Sequence, residues 1–219
     1  MTGRSARAVL VPSLRVSLGL IAALAALAVA ALGVLYAGRG EPGEVDARIL
    51  SAVDGAGPTW RYAALATDFL GEPVGAAALV AATVTGCLLL RRPRAAVLVL
   101  VGPGLAVVTT TGLKPLVGRT IHGGGNLAFP SGHTAFLTAL ALVVALLAVR
   151  RLGLGRTAGT SVVCGAALVA GAAMGWAQVV LGAHYPTDAI GGWCTALAVA
   201  PAAAWLVDRS ADAVRPRRR

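Results

Sequence analysis

The sequence predicts an all-α fold, a polytopic membrane helical bundle of six transmembrane helices with both termini in the cytoplasm. Three observations lead there: a composition short of charge, six long apolar stretches, and a lopsided distribution of arginine. Of 219 residues, 57% are hydrophobic and 13% charged, and the mean hydropathy is +0.78. A soluble domain carries about a quarter charged residues. With half that supply a globule cannot cover itself with polar surface, so lipid must form part of its solvent.

A hydrocarbon core of about 30 Å needs about 20 apolar residues per helix. The stretches at about 17–38, 74–90, 95–113, 131–149, 160–181 and 188–207 meet or approach that length. They are apolar throughout and do not alternate, which selects helices over a barrel. The first is longer than the core of a secretory signal and reads as a retained helix. After it, Glu44 to Leu50 has the pattern of a short amphipathic helix lying on the membrane. Gly171 and Gly175 give a small-xxx-small spacing that permits close helix approach, in a chain with 28 glycines. The organisation expected is a basic N-terminus (1–16), one membrane domain (17–207) and a basic tail (208–219).

Orientation follows from the arginines. Fourteen basic residues fall before stretch one, between two and three, between four and five, and after six; five (Arg39, Arg48, Arg61, Lys114, Arg119) fall in the other loops. The positive-inside rule puts the richer side in the cytoplasm. The net charge of +10 is therefore an orientation and headgroup signal, and nucleic acid is not an expected partner. Cys87, Cys164 and Cys194 lie inside apolar stretches without metal or disulfide spacing.

Ionisable residues near a membrane are functional candidates because each is costly unless used or paired. They concentrate in three outward segments: Lys114 to Thr120, Phe129 to Thr134, and Leu181 to Asp188. Pro130-Ser131 reads as a helix start, where free N–H groups and the positive dipole end suit a phosphate. Gly132 allows close backbone approach, Ser131 adds a hydroxyl, and His133 sits on the first turn. His184 and Asp188 are four residues apart, the spacing that lets a carboxylate orient an imidazole on one helix face. Two histidines, a lysine, an arginine and one carboxylate make a phosphoryl-transfer site that needs no metal, and no cofactor is expected. His122, among glycines, reads as an ordinary polar loop residue.

Taken together, these segments resemble the three-part signature of the type 2 phosphatidic acid phosphatase family, whose site is shared with bacterial acid phosphatases and vanadium haloperoxidases. Pro-Ser-Gly-His at 130–133 matches in full, and His184 with Asp188 matches the third part. The resemblance implies that His184 is the nucleophile and forms a phosphohistidine, that Asp188 holds its ring, and that His133 is the general acid. Lys114, Ser131 and the Gly132 amide would hold phosphate. It implies a lipid phosphate as substrate (a polyprenyl mono- or diphosphate, a phosphatidic acid or a phosphatidylglycerol phosphate), membrane lipids as surroundings, and a site on the outer side of a bacterial cytoplasmic membrane. Phosphotransfer to an acceptor other than water, and lipid-phosphate binding or transport without catalysis, are the alternatives. Two positions depart from the signature: Ile121 and Gln178 stand where the family has phosphate-binding basic residues. Arg119, two residues from the first vacancy, is expected to swing in as a substitute phosphate ligand.

Overall fold

The computed structural model describes residues 8–55, 57–123 and 125–213; residues 1–7 and 214–219 of the expected basic termini lie outside them. Among the described residues eight α-helices follow in order: α1 (Arg15–Leu35), α2 (Glu44–Val53), α3 (Pro58–Asp68), α4 (Pro73–Leu89), α5 (Pro93–Val117), α6 (Gly132–Leu152), α7 (Arg156–Val180) and α8 (Pro186–Ala213). Proline opens α3, α4, α5 and α8, where its fixed φ suits the first turn and its missing N–H costs nothing. Gly118 and Gly153 close α5 and α6 in the left-handed conformation (φ 64° each), the usual C-terminal stop.

Helices α1, α5, α6, α7 and α8 are each long and apolar enough to cross a membrane. The second expected stretch is different. At 17 residues α4 is short, and it follows α3 across a break of 56°; taken together the two are long and apolar enough to count as a sixth candidate span. Residues 58–68 carry Trp, Arg, Tyr and Asp among alanines, which lowers their hydropathy and hid this half-helix from a search for apolar length. The expected surface helix at residue 44 is present as α2, but it is anchored: Asp46 turns inward and is fully buried.

Helix α6 is the central post. Its apolar window is 61% buried against 17% for α1, and it packs on α5, α7 and α8. Leu142, Val143, Leu146 and Val149 of α6 meet Leu98 and Val99 of α5 in the core. By contrast Leu20, Leu24, Leu27 and Val34 of α1 are more than 60% exposed, as lipid-facing residues should be. The Gly171–Gly175 spacing lies at the α7–α8 contact. A Cβ at 171 would run into the Trp193 ring, and one at 175 would lie 3.1 Å from Ala189.

The two ends of the bundle are pinned by different ion clusters. At one end Asp208 accepts the amides of Val9 (2.7 Å) and Leu10 (2.8 Å), with Arg94 3.7 Å away and bonded in turn to Asp212 (2.6 Å). At the other end the C-termini of α5 and α7 meet the N-termini of α6 and α8 and the α3–α4 break. All three signature segments are at that end.

Candidate active site

Asp188 lies in the first turn of α8 and is fully buried. Its Oδ2 accepts the Tyr185 amide (2.9 Å), the local bond of a helix start, and its Oδ1 accepts Nη1 of Arg119 (2.7 Å). His184 precedes the helix, so the pair does not share a helical face as its spacing predicts. The turn itself brings Nδ1 to 3.7 Å from Asp188 Oδ2, and Nδ1 has no hydrogen-bond partner among the described residues. The carboxylate thus faces the imidazole with two of its acceptor positions already fixed by the protein.

Arg119 departs from the expectation of a phosphate ligand. Its side chain is fully buried; Nη2 donates to Asp46 (2.6 Å), and Nη1 to Asp188 and to Thr187 Oγ1 (2.6 Å). Its guanidinium carbon lies 4.0 Å from the Tyr36 ring centre and 4.6 Å from that of Tyr185, cation–π contacts that cover its faces. With both ends on carboxylates, Arg119 belongs to the framework beneath the site. Asp46 completes that framework by accepting the amide (2.9 Å) and hydroxyl (2.9 Å) of Thr187. A buried charge is tolerated when paired in this way, whereas removing one partner costs about 3–5 kcal/mol. Tyr185 donates its hydroxyl to Gly40 O (2.9 Å), and burial, with Glu41 adding, pushes its phenol above the ordinary value.

The Pro-Ser-Gly-His segment docks directly on α8. Ser131 N donates to Asp188 O (3.0 Å), and side chains at Gly191 or Gly192 would collide with the Phe129 ring or the Ser131 carbonyl. Ser131 is the cap of α6: its Oγ accepts the Thr134 amide (3.4 Å) and pairs with Thr134 Oγ1 (3.1 Å). The first-turn amides of Gly132 and His133 lack intrahelical acceptors by geometry. Lys114, near the end of α5, donates one of its three protons to Leu127 O (2.8 Å) and is within electrostatic reach of Asp188.

His133 faces a group of residues that the sequence reading did not single out. Its Nε2 lies 3.4 Å from Glu72 Oε1 and 3.8 Å from Asp68 Oδ1. Both acids flank the α3–α4 break, and Gly71 between them packs against the imidazole so closely that a Cβ there would overlap it. Gln178, buried on α7, donates its amide to Asp68. A legible signal existed: two acids four residues apart, just ahead of an apolar stretch, in a chain with nine acids in all. The ligand atoms of Asp68, Glu72 and His133 lie within 4.8 Å of one another, a spacing a divalent cation can use, although Asp68 already accepts from Gln178.

Both departures from the signature have local explanations. Ile121 is buried in a small apolar cluster with Ala128, Tyr185 and Leu50, and Gln178 tethers α7 to α3. His122, as expected, makes an ordinary polar bond: its Nε2 meets Gly182 O at 2.8 Å and joins two loops.

Comparison with known proteins places this arrangement. The sequence profile of the PAP2 superfamily matches residues 74–212. Among solved structures, the chain is similar to the crystal structure of the first transmembrane PAP2 type phosphatidylglycerolphosphate phosphatase from Bacillus subtilis, with a TM-score of 0.63 and 22% identity, covering 94% of this chain and 99% of that one. No curated protein matches.

Proposed function

Because the chain belongs to the PAP2 superfamily, we propose that it removes phosphate from a lipid through a phosphohistidine intermediate, at the outer face of a bacterial cytoplasmic membrane. One observation carries the mechanism: His184 turns Nδ1 toward a carboxylate that is itself locked by Arg119, at the same end of the bundle as the α6 start bearing His133.

With Nδ1 facing Asp188, Nε2 of His184 is the free nucleophile. It attacks phosphorus as the P–O bond to the lipid breaks, and His133 gives its proton to the leaving oxygen. The imidazolium character that develops on His184 is balanced by Asp188. Lys114, the Ser131 hydroxyl and the Gly132 amide cover the phosphoryl oxygens. Water then attacks the phosphohistidine, His133 accepts its proton, and phosphate leaves with His184 restored. No step requires a metal. Phosphate release from lipid phosphates by purified protein in detergent with EDTA tests the reading. A phosphoenzyme that survives alkali but not acid is the expected trapped species; turnover with no such intermediate sinks the mechanism.

The outward placement is supported by the arginine asymmetry. Asn126, in the loop between α5 and α6, and Gly155, between α6 and α7, are both exposed. Asn126→Cys should react with a membrane-impermeant thiol reagent in intact cells while Gly155→Cys stays protected. The reverse pattern inverts the topology.

A further inference from the structure

We infer that α2 docks on the outer lipid surface through Val45, Ile49 and Ala52, and that this seat holds Asp46 where it keeps Asp188 and His184 aligned. The inference rests on the phosphatase reading above and adds a lipid surface as the element that sets its nucleophile.

On a helix, residues at i, i+4 and i+7 share a face. Helix α2 sorts into three such faces. Asp46, Leu50 and Val53 turn inward: Asp46 is the one buried residue of the helix, Leu50 packs on Ile121, Ala128 and Tyr185, and Val53 is partly buried. Glu44, Arg48 and Ser51 are exposed and polar; the first two form an ion pair, and Ser51 donates to Arg48 O (2.8 Å). Val45, Ile49 and Ala52 are exposed and apolar. A helix with a protein face, a water face and a bare apolar face fits the boundary of a membrane. Its neighbours fit the same depth. Ala52 lines a cavity of about 470 Å³ with Trp60 of α3 and with Trp176 and Val180 of α7, the two indoles edge to face at 6.0 Å. Trp60 and Tyr62 are exposed, and these residue types collect at the level of lipid headgroups. The apolar face of α2 therefore continues onto two helices of the candidate spans.

The inward face leads to the reacting pair. Asp46 accepts the Gly43 amide (3.2 Å), Nη2 of Arg119 (2.6 Å), and the amide and hydroxyl of Thr187 (2.9 Å each). Arg119 carries the contact on to Asp188 Oδ1 (2.7 Å), and Asp188 Oδ2 faces His184 Nδ1 at 3.7 Å. With a single buried residue, α2 has little apolar area to hold it on the bundle, and lipid on its outer face supplies the rest. Asp46 is thus a positioning residue: it acts on His184 through Arg119 and Asp188. Tilting α2 off its seat lengthens these bonds, and a misplacement of about 1 Å at a reacting group can cost about a hundredfold in rate.

The test uses full-length protein in phosphatidylcholine vesicles. Short-chain, water-soluble forms of phosphatidic acid, phosphatidylglycerol phosphate and a prenyl phosphate serve as substrates, so that their supply does not depend on the surface. Val45→Gln with Ile49→Gln removes the apolar face without adding charge beside Asp46. Its kcat should fall about tenfold, with KM and vanadate inhibition unchanged. Val45→Leu with Ile49→Leu should keep kcat, as should Ser51→Gln on the water face. Asp46→Asn should lower kcat about ten- to a hundredfold, and the glutamine pair should then add less than about twofold, because both act through one chain of bonds. The glutamine and leucine pairs occupy exposed positions and decide the matter even where Asp46→Asn does not fold. The inference is overturned by unchanged kcat in the glutamine pair, by an equal loss in Ser51→Gln or the leucine pair, or by full additivity with Asp46→Asn. A rise in KM alone overturns it too, since the face would then guide substrate. So does a dimer in vesicles that the glutamine pair dissociates, since a second copy would then cover this face. Each of these leaves the phosphatase reading standing. Release of phosphate from none of the three substrates by the unaltered protein overturns that reading, and this inference with it.

Discussion

The two histidines of the site sit in opposite surroundings. His184 is nearly buried and faces a closed chain of partners, Asp188 to Arg119 to Asp46, each fully buried. His133 is 30% exposed and faces Glu72, which is half-exposed, and Asp68, at 20%. On the proposed mechanism the contrast separates two tasks. A nucleophile must be held in one orientation for every substrate, and a buried, ion-paired network does that. The acid must meet leaving groups of different shape, and an open side with hydrogen-bond acceptors can choose among them. The His184 half follows the family signature, whereas the acidic pair beside His133 lies outside it.

The contrast is sharpest at the nucleophile. His184→Ala should abolish turnover and phosphoenzyme formation while vanadate or lipid binding persists, and normal turnover would dissolve the distinction altogether. Asp188→Asn keeps the nucleophile but removes its charge partner, and a loss of roughly 10²–10⁴ in kcat is expected by analogy with other carboxylate–histidine pairs. His133→Ala should lose on the order of 10²–10⁴, most severely on substrates with high-pKa leaving groups.

The framework comes next. Arg119→Ala leaves Asp46 and Asp188 buried together without their cation, which should cost about 3–5 kcal/mol of stability, read as thermal unfolding in detergent. Arg119→Lys should recover little of it, since a point ammonium cannot bridge two carboxylates while stacked between two rings. In whatever fraction stays folded, kcat should fall with vanadate inhibition unchanged. Weakened vanadate inhibition in a stable Arg119 variant would instead return this residue to the phosphate and erase the proposed division.

Gln178→Arg is the mildest change. A guanidinium there would pair with Asp68 and cancel one of the two acids beside His133. Vanadate inhibition should tighten a few-fold, and the acid half should come to resemble its partner more closely. No change in inhibition would mean that the pair does not face the reacting phosphate.

Much of this was written locally. Lipid imposes a length and a hydropathy on each span independently, so five of the six candidate crossings are visible as apolar stretches, and α2 is visible from its amphipathic pattern. The sixth candidate crossing is only half visible, because its α3 half carries Trp60, Arg61, Tyr62 and Asp68, which lower its hydropathy. The Pro-Ser-Gly-His start and the His184–Asp188 spacing are likewise local, each contained within a few residues of one helix end. What they touch is not local. Arg119 and Asp46 are separated by 73 residues and Asp46 and Thr187 by 141, and Gln178 and Asp68 by 110. Nothing in the neighbourhood of Arg119 tells a phosphate ligand from a buried strut, because a guanidinium serves either by the same hydrogen bonds. The sequence by itself determined a membrane bundle, most of its apolar spans and the residues that are candidates for the reacting groups. Tertiary structure alone decided which charges are paired beneath His184 and which stay open beside His133, because the electrostatics of a buried charge depends on partners that only packing brings within reach.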